Sequence, residues 1–191
     1  MSPELENYEA VSVYNLDEED KQKLLRSHAE CSFNWSTRDG WPMGVIMSYL
    51  WQDGRVWLTA GAHRHRISAV RRDPRVSVVI TSTGTKLGPG RSITIKGRCV
   101  IHEDQETKDW FYPACAAVNI PTAGKLQDAF AQMMDTERRL VIEVVPEKWI
   151  TLDSDKMGKD TRGELTDEER GPPLEADAKR MPEELKRRGL D

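Results

Sequence analysis

Cysteine is scarce, long apolar runs are missing, and neither sign of charge dominates. The three cysteines, Cys31, Cys99 and Cys115, are odd in number and widely spaced. They exclude a dense disulfide framework and fit free thiols in a reducing compartment, so a cytoplasmic location is expected. No apolar stretch approaches the roughly 20 residues that cross a bilayer, and no membrane association is expected. Met1-Ser2-Pro3-Glu4-Leu5-Glu6 is acidic and has no apolar h-region, which argues against a secretory signal. With 28 basic against 32 acidic residues the chain is slightly acidic. A nucleic-acid partner is therefore not expected, because phosphate backbones are met by basic surfaces. No Cys-x-x-Cys or His-Glu-x-x-His spacing occurs. His63 and His65 lie two apart with no fixed third ligand, so no metal site is expected. A nucleophile elbow, a Walker loop and a dinucleotide-type Gly pattern are missing too, and no catalytic side chain can be assigned.

What is present points to one folded unit. At 191 residues there is room for one domain and a tail. Residues 1–15 read as an N-terminal arm and 16–153 as the domain. Residues 154–191, rich in charge, Gly and Pro, read as a charged C-terminal tail, disordered or laid over a neighbouring surface. Six tryptophans are many for this length, and some should line a core, an interface or a flat ligand. Asp17 is a plausible N-cap for a helix with an acidic first turn and a small apolar face at Leu24 and Leu25. Strands are expected at Cys31–Thr37, Met43–Trp51, Arg55–Thr59, Val76–Ile80, Arg91–His102 and Arg138–Val145. Asp39-Gly40 and Asp53-Gly54 are hairpin signals. Gly97, inside a strand, predicts a bulge or tight bend. Glu103–Val118 reads as a helix broken or kinked at Pro113. Thr122–Asp135 reads as a helix with Leu126, Ala129, Phe130 and Met133 on one face. About six strands, mostly hairpin-linked, predict a mainly β fold, an antiparallel barrel with helices at its ends.

The sharpest chemistry lies between Arg55 and Ile80. A strand, Arg55-Val56-Trp57-Leu58-Thr59, meets the turn Ala60-Gly61-Ala62 and then His63-Arg64-His65-Arg66. A short helix from Ile67 stops at Asp73-Pro74. Arg64 and Arg66 thus stand where a strand ends and a helix begins. Amide groups at a helix start are unpaired and point outward. With two guanidiniums beside them, the place suits a phosphate or another anion. The same residues also read as solvated charges on a surface loop, and spacing leaves both open. Lys86, Arg91 and Lys96 either extend a basic groove or join surface salt bridges.

The strand ending Leu58-Thr59, the cationic turn, the segment Arg71-Arg72-Asp73-Pro74-Arg75-Val76-Ser77 and the later strand with Gly97 resemble the pyridoxamine 5′-phosphate oxidase-like split barrels. The resemblance covers roughly residues 25–153. It implies a six-stranded antiparallel split β-barrel with peripheral helices, a homodimer, and FMN or the deazaflavin F420 as cofactor. The family's Ser-Arg-Lys falls at Arg64, His65 and Arg66, which would hold the cofactor phosphate. Thr59 and Ala60 would lie near the phosphate or the ribityl chain. The edge of the strand Val45–Ser48, with Val45 and Met47, would hydrogen-bond the pyrimidine side of the ring. The family's Arg-Gln falls at Arg91 and Ser92, so the Gln that touches the flavin is absent. Met43-Gly44-Val45 lacks the phosphate-contacting Arg of true pyridoxamine oxidases, and oxidation of pyridoxamine phosphate is not expected. Lys86, Arg91 and Arg98 are candidates for the acidic tail of F420. The implied activity is hydride transfer between FMN or F420 and a small organic substrate. The alternative is a non-catalytic split barrel that stores a cofactor or binds haem through His63, His65 or His102.

Overall fold

The structure, a computed structural model, describes residues 11–27 and 30–190. Among them are seven strands: β1 (Glu30–Ser36), β2 (Pro42–Ser48), β3 (Leu50–Gln52), β4 (Arg55–Gly61), β5 (Arg75–Thr81), β6 (Arg91–His102) and β7 (Arg139–Asp153). There are six α-helices: α1 (Glu18–Ser27), α2 (His65–Arg72), α3 (Gln105–Asn119), α4 (Lys125–Met134), α5 (Ser154–Thr161) and α6 (Glu175–Arg188). The strands form one sheet in the order β2-β1-β5-β6-β7-β4-β3, and every neighbouring pair is antiparallel.

The sixfold expectation becomes seven strands because the run Met43–Trp51 breaks at Tyr49. β2 and β3 are opposite edges of the sheet, yet Tyr49 alone separates them in sequence. The sheet must therefore curl until its two edges approach, which produces the split barrel. Tyr49 is buried at the break, and its hydroxyl donates to Leu25 O at 2.9 Å. Inside the curl, strand alternation buries Phe33 and Trp35 of β1, Val56 and Leu58 of β4, Val78 and Ile80 of β5, and Ile142 and Val144 of β7. α1 covers one side with Leu24 and Leu25. Its N-cap is Asp17, whose carboxylate accepts from Asp20 N at 2.8 Å.

Several local features have simple causes. Gly97 sits at a register shift between Lys96 and Gly97 where β6 meets β7. A Cβ there would lie 2.5 Å from Val145 O, so only glycine lets the two strands close at this bend. α3 runs continuously through Pro113 instead of breaking. Pro113 and Asp109 are both exposed, so the Asp109 carbonyl left without an amide partner can reach water. α3 and α4 pack together over the outside of β3, β4 and β7, where Phe111, Tyr112, Cys115, Met134 and Val141 form a second core. The buried side of α4 is not the face that periodicity selects. Leu126 is 70% exposed and Met133 63%, while Met134 is buried and Phe130 half-buried.

The C-terminal segment holds two helices and is laid over a neighbouring part of the chain. α5, a 3-10 turn at Asp167–Glu169, and α6 fold back on the start of the described chain. Tyr14 Oη donates to Asp160 Oδ2 at 2.7 Å, Gly171 N to Val13 O at 2.7 Å, and Lys156 Nζ to Asn15 O at 2.8 Å. Leu165 is the single buried apolar residue among those described in 154–190. Composition signals disorder here because hydrogen bonds and ion pairs, rather than apolar burial, hold the segment.

Gly97→Ala forces a methyl against the β7 backbone. It is expected to destabilise the fold by about 1–3 kcal/mol, as overpacking does. A urea midpoint equal to that of the wild type would show that the strands do not close on Gly97.

Candidate functional site

The basic turn is held by an apolar plug. Ile67, Ala69 and Val70 of α2 are buried in the end of the barrel, so the start of the helix has a fixed place and its first turn faces outward. Arg64 is the N-cap residue, in extended conformation, and no side chain caps the helix. The chain passes from β4 into α2 through Arg64 N to Gly61 O at 3.0 Å and Ile67 N to Arg64 O at 2.9 Å. Ala62 N donates to Arg138 O at 2.8 Å, and Gly61 pairs with Arg139, so the start of β7 is tied beside the turn.

A cleft of about 180 Å³ opens there. Its walls are Met47 and Ser48 at the end of β2, Thr59 of β4 and Arg139 of β7. Asn119 of α3 and Phe130 of α4 close the far side, and Arg66 enters from α2. Arg66 Nε is buried and has no hydrogen-bond partner. Burial lowers the pKa of Arg66, and the nearby charges of Arg64 and Arg139 lower it further. It remains a cation at neutral pH, because free guanidinium titrates above 12. Arg139 Nε reaches only Thr59 Oγ1, at a long 3.5 Å, while Thr59 Oγ1 donates to Leu140 O at 2.9 Å. No carboxylate lines the cleft. Among the described residues none of these three arginines forms an ion pair. Like charges gathered without a counter-charge, one with a buried orphan donor, fit an anion that is not part of the protein. The volume lies below the ~300–1,000 Å³ of pockets that enclose a whole ligand, so this cleft suits the anionic end of one.

The remaining expected residues spread out. Arg64 and His65 are exposed on the turn at the mouth of the cleft, and Met47, Thr59 and Arg66 line it. Ala60 points into the barrel core, and Val45 packs against that core. Lys86 is exposed on the loop between β5 and β6. Arg91 is engaged within the chain, donating to Leu87 O at 2.8 Å and pairing with Asp153 and Asp155. Arg98 pairs with Glu147 at 2.7 Å. Ser92 pairs with Thr81 and Leu152, at the far end of β6 from the cleft. A larger hollow of about 340 Å³ lies between β1, β5 and β6, lined in part by Trp35, Arg75, Lys96 and Glu147. Of the expected cations it contains only Lys96, well away from the turn, and a carboxylate already stands among its cations.

Arg139 and Asn119 escaped sequence reasoning. Arg139 is 73 positions from Arg66, and only the pairing of β4 with β7 brings them together. A doubled Arg at the start of a strand gives no signal of its own. His102 is a structural residue: Nε2 lies 2.9 Å from Glu143 Oε2, and its ring packs 5.5 Å from that of Trp57. Burial pushes the Cys115 thiol up to about 11 and those of Cys31 and Cys99 to about 12, which keeps them protonated and poor nucleophiles. Among the described residues no three His, Cys, Asp or Glu side chains converge as metal ligands. None of the described helices is long and apolar enough to cross a membrane.

Comparison with known proteins agrees with this architecture. A conserved hypothetical protein from Mycobacterium tuberculosis is 22% identical, covers 77% of this chain and 91% of its own, and superposes with a TM-score of 0.67. An F420 reductase is 18% identical over 67% of this chain and 94% of its own, with a TM-score of 0.52. A FAD-binding protein from Mesorhizobium loti is 20% identical over 72% of this chain and 94% of its own, also with a TM-score of 0.52. At these identities the likeness is one of fold. No curated protein matches the chain. The sequence model described as pyridoxamine 5′-phosphate oxidase matches residues 18–153, from the start of α1 to the end of β7. The chain therefore belongs to the pyridoxamine 5′-phosphate oxidase family of split barrels.

Proposed function

We propose that this protein is a flavin- or deazaflavin-dependent oxidoreductase that moves hydride between FMN or F420 and a small organic substrate. The observation that carries the reading is Arg66, whose buried Nε has no partner, in a cleft shared with Arg139, with Arg64 nearby and no carboxylate in the lining. Relatives of the same fold that include an F420 reductase and a FAD-binding protein favour a flavin-type cofactor. Such a cofactor supplies the hydride chemistry when bound. The residues of the chain bind and orient it. Arg66, Arg139 and Arg64 hold its phosphate, and Asn119 and Phe130 wall the cleft against water. A cleft of about 180 Å³ leaves the ring outside. The nearest open backbone is the edge strand β2, whose residues Val45–Ser48 can offer amides and carbonyls to a ring edge. The departures at Met43-Gly44-Val45 and Ser92 argue against oxidation of pyridoxamine phosphate. Haem has weaker support, since His102 is engaged by Glu143 and, among the described residues, the exposed His63 and His65 are the histidines that remain as ligands.

The working unit we propose is a homodimer in a cytoplasmic setting. Ile46 of β2 is 66% exposed, and Trp41 and Met43 are exposed beside it. An apolar, unpaired edge strand is a natural contact for a second copy. Thr59 and His102 both pair with Val141, and Ser92 lies ten positions back along β6 (102 − 92), or roughly 33 Å of strand. Arg91 and Ser92 therefore cannot serve the cleft of their own subunit, and any role at a cofactor is toward the partner's.

Three measurements test this reading. Titration of the purified protein with FMN and F420 in parallel, followed by cofactor fluorescence, is expected to give micromolar binding of one of them. Arg66→Ala is expected to weaken it by about 10–100-fold, the worth of a lost hydrogen bond to a charged group. Binding of neither would remove the proposal. Without cofactor, Arg66→Met is expected to raise Tm by about 2–4 °C, the equivalent of roughly 1 kcal/mol, because it relieves an unpaired cation. A lowered Tm would instead make Arg66 a structural residue. Ile46→Asp is expected to convert a dimer into a monomer in sedimentation velocity, and an unchanged dimer would place the interface elsewhere.

A further inference from the structure

We propose that Arg139 is a phosphate-binding residue that, with Arg66, makes the cleft select a dianionic phosphate monoester over a phosphodiester. The inference rests on the cofactor reading above and narrows it to the chemical class of the anion. Two guanidiniums reach the cleft from separate elements, Arg66 from the first turn of α2 and Arg139 from the start of β7. They are close enough that Arg139 lowers the pKa of Arg66, and Arg64 adds a third charge at the mouth. No carboxylate lines the cleft, and Asp135, which follows the lining residue Met134, accepts from Gln105 instead. Met47, Ser48, Thr59, Asn119 and Phe130 are neutral, and the only bond Arg139 makes there is the long one to Thr59 Oγ1.

Charge and oxygen count then discriminate between ligands. A phosphate monoester carries about −1.5 to −2 at pH 7 and presents three terminal oxygens. A phosphodiester carries a single charge and presents two. A diester in this cleft leaves two guanidiniums uncompensated and one without a terminal oxygen to bind. A monoester offers one oxygen edge to each of Arg66 and Arg139, in the forked geometry that guanidinium prefers. The residues thus match riboflavin 5′-phosphate better than a deazaflavin joined to its tail through a diester.

The test compares riboflavin, riboflavin 5′-phosphate and the methyl phosphodiester of the latter by flavin fluorescence, in the wild type, Arg139→Gln and Arg139→Lys. The wild type is expected to bind the monoester about 10–100-fold more tightly than the diester, the range for one charge-assisted hydrogen bond. Arg139→Gln is expected to bring the two within about 3-fold of each other, with Arg139→Lys between, because lysine keeps the charge and loses the fork. Equal binding of monoester and diester by the wild type overturns the inference, even if the variant fails to fold. So does a preference that Arg139→Gln leaves intact, and in that case loss of binding in Arg66→Ala would still uphold the cofactor reading. If no flavin or deazaflavin binds, the cofactor reading falls but the pincer remains testable with inorganic phosphate alone. Thermal stabilisation of the wild type by phosphate and not by dimethyl phosphate, lost in Arg139→Gln, supports it, and no stabilisation overturns it.

Discussion

A single residue lies between the two edges of the sheet. β2 closes one side of the barrel and β3 the other, and Tyr49 is all that joins them. The curl this connection enforces encloses the apolar faces of seven strands around one core. It also decides what can meet at the barrel's end. Met47 and Ser48, at the last turn of β2 before the switch, come to lie beside Thr59 of β4 and Arg139 of β7. In a flat sheet of the same strand order β2 and β4 would be separated by four strands. The cleft is thus a consequence of closure, and α2 completes it by driving Ile67, Ala69 and Val70 into the open end.

Closure sets the geometry, and electrostatics sets the use. The protein holds Arg66 half-buried beside two other arginines, with an orphaned Nε. Elsewhere among the described residues several arginines have carboxylate partners, Arg91 in Asp153 and Asp155, Arg98 in Glu147 and Arg170 in Asp160, although the Nε atoms of Arg91 and Arg170 are also buried without a hydrogen-bond partner. The contrast matters more than the number of charges. Burial of an unmatched donor costs about 1–3 kcal/mol, and at Arg66, unlike Arg91 and Arg170, no carboxylate stands beside the guanidinium, so a bound anion would offset that cost.

Much of this was legible in the sequence. Alternating apolar residues located the strands, Asp53-Gly54 marked the β3–β4 hairpin, and Gly97 announced the irregularity at which β6 bends. The strand, cationic turn and short helix from Arg55 to Arg72 were readable because all their determinants are local. What was hidden is non-local. Arg139 joins Arg66 only through the β4–β7 ladder, and no window of sequence contains both. Tyr49 reads as one more residue in a strand, because the signal for its switch is the burial of its ring and a bond to Leu25 O across the fold. The helical period of α4 marks Leu126, Ala129, Phe130 and Met133, and packing against α3 keeps Phe130 of these but takes Met134 in place of Leu126 and Met133. For the C-terminal segment, composition could not decide between disorder and packing on a neighbouring surface, since its partners, Tyr14 and Val13, lie at the other end of the chain.

The most direct test of the central claim is the crystal structure of the protein with whichever of FMN and F420 it binds. The account predicts phosphate oxygens about 2.7–2.9 Å from the guanidinium nitrogens of Arg66, the spacing of charge-assisted bonds, with the ring outside the cleft along β2. A cofactor whose phosphate lies elsewhere, with Arg66 still unpaired, would contradict it.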